Sequence, residues 1–445
     1  MPVPPASSFF STRRLDVEAV LGAAGLRPFH RKAIAITGIA WTFVAMEILL
    51  IGFTLPLFGS IWNLSATWLG WIGASALAGS LAGSLLLGRL ADQRGRKRIF
   101  LASVLWYSLF TALTALAWGP APLLALRFLA GIGLGGMLVV DPSLLAEYLP
   151  PQRRGRLLVL LDLFWPVGLL VAIGLSWVFL DRLGGAWRWL FVAAALPAFL
   201  AAVVRRTLPE SPYWLARRGR LAEAAGVLGG ITGRPVDSES LAVSVEPSSS
   251  PRELFGSRLR PTSMVIILVW IALNVSYYGL FIWLPGVLDA QGTVALNPYV
   301  LLALVALAQF PGYAASLWLV EAWGRKPTLV TFLALGGMSA LTFALAESTG
   351  VYVAALFFVG FFNLGAWGAV YPYTSELFPT RLRSTAFGMV EGVGKAAAIA
   401  GPYLFGYLLD VTGATVWSLT FVAAVMAAGA LVTLLGRETR GAKLV

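Results

Sequence analysis

The sequence predicts an all-α membrane protein of twelve transmembrane helices in two pseudo-symmetric six-helix bundles, and three observations predict it. First, 58% of the 445 residues are hydrophobic and only 12% are charged, against about 25% charge in an ordinary soluble domain; mean hydropathy is +0.80. Second, apolar runs of about 20 residues recur along the whole chain, each long enough to cross a bilayer as a helix. Third, the chain repeats itself. Asp92, Gly95, Arg96 and Lys97 map onto Glu321, Gly324, Arg325 and Lys326 at an offset of 229. Glu147, Pro150 and Arg154 map onto Glu376, Pro379 and Arg383 at the same offset, and Pro209-Glu-Ser211 nearly matches Arg437-Glu-Thr439. Two similar halves in tandem follow from such a repeat.

Taken in order, residues 1–32 form a polar N-terminal segment in which Leu15–Leu21 has the pattern of a short amphipathic helix on the membrane surface. An N-terminal bundle, 33–204, holds apolar spans at roughly 33–58, 67–88, 99–118, 121–142, 157–180 and 187–204. The first of these is too long for a secretory h-region and lacks an A-x-A site, so it reads as a retained span. A polar linker, 205–260, contains a helical pattern from Arg217 to Leu228 and a Ser- and Pro-rich joint at 238–251. A C-terminal bundle, 261–436, has spans at roughly 262–288, 298–320, 328–346, 350–372, 384–409 and 414–435, and a tail, 437–445, follows.

Of the 33 lysines and arginines, 29 lie in the N-terminus, the even-numbered connections and the tail. The positive-inside bias then puts both termini in the cytoplasm of a multi-pass plasma-membrane protein. The same placement accounts for the net charge of +12 with no nucleic acid as partner. Cysteine is absent and His30 is the lone histidine. No disulfide framework, thiolate or zinc site is therefore expected, nor a catalytic nucleophile–base constellation, and no cofactor.

An ionisable side chain within a span costs at least about 2.5 kcal/mol and is a functional candidate by default. Glu47 lies near the middle of the first span and Asp162 in the inner third of the fifth; burial disfavours the charged form of a carboxylate, the property that proton coupling uses. Arg127, in the fourth span, can pair with Glu47 or with a substrate carboxylate as a bidentate partner. The string Gly131-Ile-Gly-Leu-Gly-Gly136 matches GxGxxG, but no strand precedes it, so its small residues are read as helix contacts. Asp141 lies at the inner end of the same span, where it can serve a gate. Glu391 and Lys395 share one helix face of the eleventh span, as a self-neutralising pair or as a substrate site. Trp165, Asn274, Tyr277, Tyr278, Gln309, Asn363, Trp367 and Tyr371 supply the aromatic walls and directed polar groups of a pocket for a small flat ligand.

The loop Gly88–Arg98 resembles the signature of the major facilitator superfamily, departing from it at Gln93 and Arg94. Met46–Phe53, Arg127–Gly135, Asp162–Gly168, Trp187-Arg-Trp189, Pro209–Pro212, Ser276–Gly279 and Tyr373–Pro379 together resemble synaptic-vesicle-related proteins, bacterial niacin permeases and organic ion transporters, over about residues 15 to 440. The resemblance implies alternating access, by rocking of two bundles about a midplane site. It implies that Lys395, seven residues before Pro402, favours an anionic substrate. The expected activity is proton symport of a small organic ion such as nicotinate by a monomer in the lipid bilayer. Sugar or polyol transport, proton-coupled efflux of an organic cation, and a receptor or scaffold role are the alternatives. The acids Asp92, Glu147, Glu210, Glu321, Glu376 and Glu438, beside Arg96, Arg154, Arg325 and Arg383, are expected to pair across the two bundles and to break when the inner face opens.

Overall fold

The computed structural model of the chain describes residues 15–242, 250–291 and 296–441. Twelve long helical runs lie among the described residues. In the first half they are α1 (Pro28–Trp62), α2 (Ala66–Arg94), α3 (Arg96–Thr114), α4 (Pro120–Tyr148), α5 (Pro151–Arg182) and α6 (Trp187–Thr207). In the second they are α7 (Arg260–Gln291), α8 (Pro298–Ala322), α9 (Arg325–Leu345), α10 (Thr349–Leu377), α11 (Arg383–Thr412) and α12 (Thr415–Leu434). Ten are long and apolar enough to cross a membrane; the other two are α3, which opens on Arg96, Lys97 and Arg98, and α11, which carries Glu391 and Lys395. Most helices outrun their apolar stretches by several residues, because polar side chains continue a helix into the interface at no burial cost.

Two turn chemistries punctuate the chain. On the face away from the basic loops, Ser65, Asn297 and Ser348 cap α2, α8 and α10 by accepting from the amides of Trp68, Tyr299 and Val351. On the basic face, α2 turns into α3 at Gly95 (φ 106°) and α8 into α9 at Gly324 (φ 119°), backbone angles that favour glycine. A third feature is internal to α5, where the helix breaks at Leu163. Pro166 has no N–H to give the carbonyl of Asp162, so the ladder opens there and the Asp162 side chain sits at the break.

Packing inside each half runs through glycine seams. A β-carbon at Gly131 or Gly135 of α4 would strike the carbonyl of Ala76 or Ser80 on α2, and one at Gly79 or Gly83 would strike Phe128 or Ile132. Small residues four apart on both helices let the backbones touch, which is the use to which the GxGxxG string is put. The second half repeats the seam, with Gly312 against Phe361 and Gly360 against Val305. Between the halves, α2 lies along α11 and α1 along α7. The close approaches cluster away from the basic loops: Gly70 on Pro402, Gly406 on Ala66 and Gly286 on Pro56.

The N-terminal helix forms over Val17–Ala24, but protein covers its apolar face. Val17 and Leu21 are buried, the helix packs on the linker helix Leu221–Thr232, and Glu18 pairs with Arg154 of α5 at 3.3 Å. A parallel bridge between Leu15–Asp16 and Leu241–Ala242 completes this cap, so the membrane-surface placement is corrected. The linker folds further into Pro212–Arg217 and a 3-10 turn at Pro251–Phe255. There Arg381, 2.5 Å from Glu253, holds that carboxyl below its usual pKa through a hydrogen bond. Half of the Ser- and Pro-rich joint, 243–249, lies outside the described residues.

Replacing Gly135 by leucine is expected to cost about 1–3 kcal/mol by forcing α2 and α4 apart, seen as a lower thermal unfolding midpoint in detergent. Gly174→Leu, at a position with nothing within 4 Å of an added β-carbon, is expected to leave that midpoint unchanged.

Candidate functional site

A cavity lies between the halves, lined by residues of both. The first half contributes Trp41 of α1, Ser80 of α2, and Asp162 and Trp165 of α5. The second contributes Trp270, Asn274, Tyr277 and Tyr278 of α7, Trp367 and Tyr371 of α10, and Glu391 and Lys395 of α11. Spacing explains the α7 wall: Trp270, Asn274 and Tyr277 lie four and seven residues apart, one face of a helix. The Trp165 indole N–H donates to the Tyr277 hydroxyl at 2.5 Å, joining the halves at the cavity. Trp270 meets Trp367 and Tyr371 edge-on, with centroids 5.7 and 5.6 Å apart.

Three charged groups face this space. Lys395 Nζ is 3.3 Å from Glu391, with the lysine side chain 10% exposed and the glutamate 40%. Asp162 accepts from the Tyr313 hydroxyl at 3.0 Å, a second bond across the halves. Asp162 and Glu391 are separated by the same 229 residues as the loop repeats, and so are Trp41 and Trp270. The cavity therefore presents one acid and one tryptophan from equivalent places in each half. Trp41 and Trp270 are absent from the residues expected on sequence, and that offset was the signal that could have found them.

Glu47 and Arg127 are elsewhere. Both are fully buried inside the first half, where Arg127 Nη1 bonds the Glu47 carboxylate and Nη2 its carbonyl at 3.0 Å. Thr111 of α3 donates to the same carboxylate oxygen at 2.6 Å, and the Arg127 guanidinium lies 5.5 Å from the Phe191 ring centroid. Neither lines the cavity, so the expectation that Arg127 meets substrate there is corrected: Glu47 takes Nη1 and Nη2, and Nε has no hydrogen-bond partner among the described residues. Gln309 and Asn363 are also off the cavity, buried on α8 and α10. Among the described residues Gln309 has no side-chain partner and Asn363 has only the Met426 sulfur at 3.9 Å. Asp141 is buried within the first half, not at a surface gate.

On the basic face the expected pairs form, but each network stays within its own half. Arg96 lies 3.3 Å from Asp92 and 2.7 Å from Glu147; Glu210 accepts from the Lys97 amide at 2.9 Å, and Ser211 donates to Glu147. Equivalently, Arg325 lies 3.0 Å from Glu321 and 2.9 Å from Glu376. Glu438 accepts from the amides of Arg325 and Lys326 at 3.0 Å each, and Thr439 donates to Glu376 at 2.7 Å. Arg154 turns to Glu18 and Tyr213, and Arg383 to the Ser375 carbonyl. These carboxylates compensate helix N-termini and pin the linker and tail, and among the described residues none of these pairs crosses between the bundles in this state. A charged link that does cross lies on the opposite face. Asp410 of α11 accepts from the amides of Ala66 and Thr67, at 2.8 and 2.6 Å, and so caps α2. Sequence reasoning missed it, because an aspartate at a helix end has no visible partner until the halves meet.

Two six-helix bundles around a shared cavity with a charged floor and aromatic walls define a membrane transporter of the major facilitator superfamily. Within it, the chain belongs to the family described as "Sugar (and other) transporter", which it matches over residues 26–444; it is a transport protein and not an enzyme. It is 36% identical over 422 residues to the niacin transporter NiaP of Acinetobacter baylyi, covering 94% of this chain and 96% of that one. It is 29% identical over 418 residues to a synaptic vesicle 2-related protein of Xenopus laevis, covering 88% and 76%. In fold it is similar to the Escherichia coli xylose transporter XylE in a partially occluded inward-open conformation. That match has a TM-score of 0.78 and 20% identity, over 94% of this chain and 100% of the other; another structure of XylE is described as a proton:xylose symporter.

Asp410→Ala is expected to loosen the face away from the basic loops. Hydrogen bonds to a charge are worth about 1.5–3 kcal/mol, and at this exposed position screening leaves about 1 kcal/mol, or about fivefold in population. Thiol labelling of Leu55→Cys, in the cleft on that face, is expected to quicken by that factor.

Proposed function

We propose that the protein is a proton symporter of a heteroaromatic carboxylate such as nicotinate, working by alternating access. The observation that carries this reading is Lys395, a buried ammonium in a cavity walled by Trp41, Trp165, Trp270, Tyr277, Tyr278 and Trp367. The 36% identity with a niacin transporter agrees with it. A flat ring stacks between indoles while its carboxylate competes with Glu391 for the ammonium. Asn274 lines the same cavity and donates to the Trp270 carbonyl at 2.9 Å.

Coupling is assigned to Glu47. Its carboxylate neutralises Arg127, and one of its oxygens has no hydrogen-bond partner among the described residues. Protonation there removes the charge that holds Arg127, and an arginine freed inside a bundle changes how α1 and α4 pack. Asp162 is the second acid, sited to feel the cargo directly. Rocking of the halves then exposes the cavity to the other side, and cargo and proton leave together.

A cationic cargo is the second reading, favoured by the charges of the cavity: two carboxylates, Asp162 and Glu391, against one ammonium. Competition decides between the two. Excess unlabelled nicotinate is expected to displace labelled nicotinate where an aromatic amine does not, and uptake of a labelled aromatic amine with no uptake of nicotinate would establish the cationic reading.

In proteoliposomes with an imposed pH gradient, wild-type protein is expected to accumulate labelled nicotinate. Glu47→Gln is expected to abolish accumulation while counterflow survives; full accumulation by that variant would move the coupling role to Asp162. Lys395→Met is expected to raise the half-saturation concentration of nicotinate about tenfold or more, the loss of a charge-assisted bond, with little effect on neutral nicotinamide.

A further inference from the structure

At the break in α5 two backbone carbonyls lose their usual helical donors. Pro166 has no N–H for the Asp162 carbonyl, and the Leu163 amide, the regular donor to the Val159 carbonyl, turns instead to Leu160 at 3.3 Å. A carbonyl released at membrane depth needs a donor from somewhere else. For Val159 it comes from the other half of the molecule. The Tyr313 hydroxyl of α8 donates to the Val159 carbonyl at 3.2 Å and to the Asp162 carboxylate at 3.0 Å. A hydroxyl has one proton to give, so the two acceptors share it. Tyr313 is fully buried and does not line the cavity, whereas Asp162 does.

Just beyond the break, α5 is fastened to its own half. Thr42 of α1 donates to the Phe164 carbonyl at 3.3 Å, and a β-carbon at Gly168 would strike the Thr42 carbonyl. The broken turn is therefore held by α1 on one side and by Tyr313 and Tyr277 of the second half on the other. The duplicated interface, α2 with α11, lacks this arrangement. At the offset of 229, Ser84 stands in place of Tyr313 and Lys395 in place of Pro166. There α11 passes the same level as an unbroken helix, Ser84 donates to the Leu81 carbonyl of its own helix at 2.9 Å, and Glu391 turns to Lys395 at 3.3 Å. The tyrosine and the break occur together at one interface and are both missing from the other. That pairing ties the hydroxyl to the break, not to the general packing of α8.

We infer that Tyr313 is a positioning residue of the transport cycle: its hydroxyl stands in for the missing rung of α5 and ties the cavity acid Asp162 to the second half. Movement of the halves apart at this interface takes the donor from both acceptors at once. The state described here keeps the bond, and the state that exposes the cavity to the other side gives it up. The turn that carries Asp162 and Trp165 thus exchanges its hydrogen bonds each time the halves rock. The inference rests on alternating access and not on which ion is carried.

The test uses the full-length chain with Leu55→Cys, in the cleft on the face away from the basic loops, as its one thiol, since the chain has no cysteine of its own. Tyr313→Phe keeps the ring and removes the hydroxyl. It is expected to weaken the present state, so that labelling of the cleft quickens about fivefold, the scale of one hydrogen bond. In proteoliposomes the maximal rate of nicotinate counterflow is expected to rise by a similar factor. The half-saturation concentration is expected to stay within about twofold, because the hydroxyl touches no cargo. Pro166→Ala returns an N–H to the ladder of α5. In that background Tyr313→Phe is expected to change labelling by about twofold or less, the non-additivity of two groups that serve one gap. A labelling rate unchanged by Tyr313→Phe, or a rise that persists undiminished with Pro166→Ala, would overturn the inference. So would slower counterflow in well-folded Tyr313→Phe protein. Absence of nicotinate exchange in the wild-type protein would count against the cargo, and labelling, which needs none, then decides on Tyr313. A cleft that stays unlabelled in every variant, Asp410→Ala included, would overturn alternating access and this inference with it.

Discussion

Charge below the membrane surface is the constraint around which the rest of this molecule is arranged. Each ionised group that leaves water must find a partner, share a cavity with one, or move a proton, because the apolar surroundings return little of the solvation it has lost. The chain meets this demand in different ways. Glu47 and Arg127 neutralise each other in a closed interior, and Thr111 holds the shared oxygen. Glu391 and Lys395 neutralise each other at the wall of an open space. Asp162 takes a single hydroxyl from the opposite half. On the reading proposed above, the closed pair senses a proton and the open pair meets a charged cargo. That division follows from access alone.

Duplication gives the two halves a common plan, and the plan reaches the cavity. The offset that relates the loop motifs also relates Asp162 to Glu391 and Trp41 to Trp270. The halves then diverged: Leu356 stands where the first half has Arg127, and Pro166 where the second has Lys395. The first half thus keeps an internal ion pair while the second carries the cation at the cavity. Pro166 has a further effect, opening α5 beside Asp162.

The two faces close by different physics. On the basic side, carboxylates cap helix starts within each half, so Arg96 and Arg325 stiffen a bundle without linking it to its neighbour. On the other side, glycine contacts of α2 with α11, and the Asp410 cap, hold the halves together. An arginine network that stays inside one half, as it does in this state, can still bias the equilibrium by fixing how α2, α3 and α4 move as a body.

The sequence by itself determined the class of fold, the twelve spans, the repeat and most of the cavity wall. Hydrophobic runs, basic loops and a constant offset are local or one-dimensional signals, and Asn274 with Tyr277 and Tyr278, Trp367 with Tyr371, and Glu391 with Lys395 lie three or four residues apart, on helix faces that such a count can align. Only the tertiary structure decided which buried charges meet. Helix packing directed Arg127 to Glu47 rather than into the cavity, set Gln309 and Asn363 aside, and turned the amphipathic N-terminal helix onto the linker. It also left Asp141 without a partner and brought Asp410 to the start of α2. The rotation of one helix about its axis against the next is fixed by the contacts of glycines and rings from distant parts of the chain, and a pattern read along a single helix does not contain it.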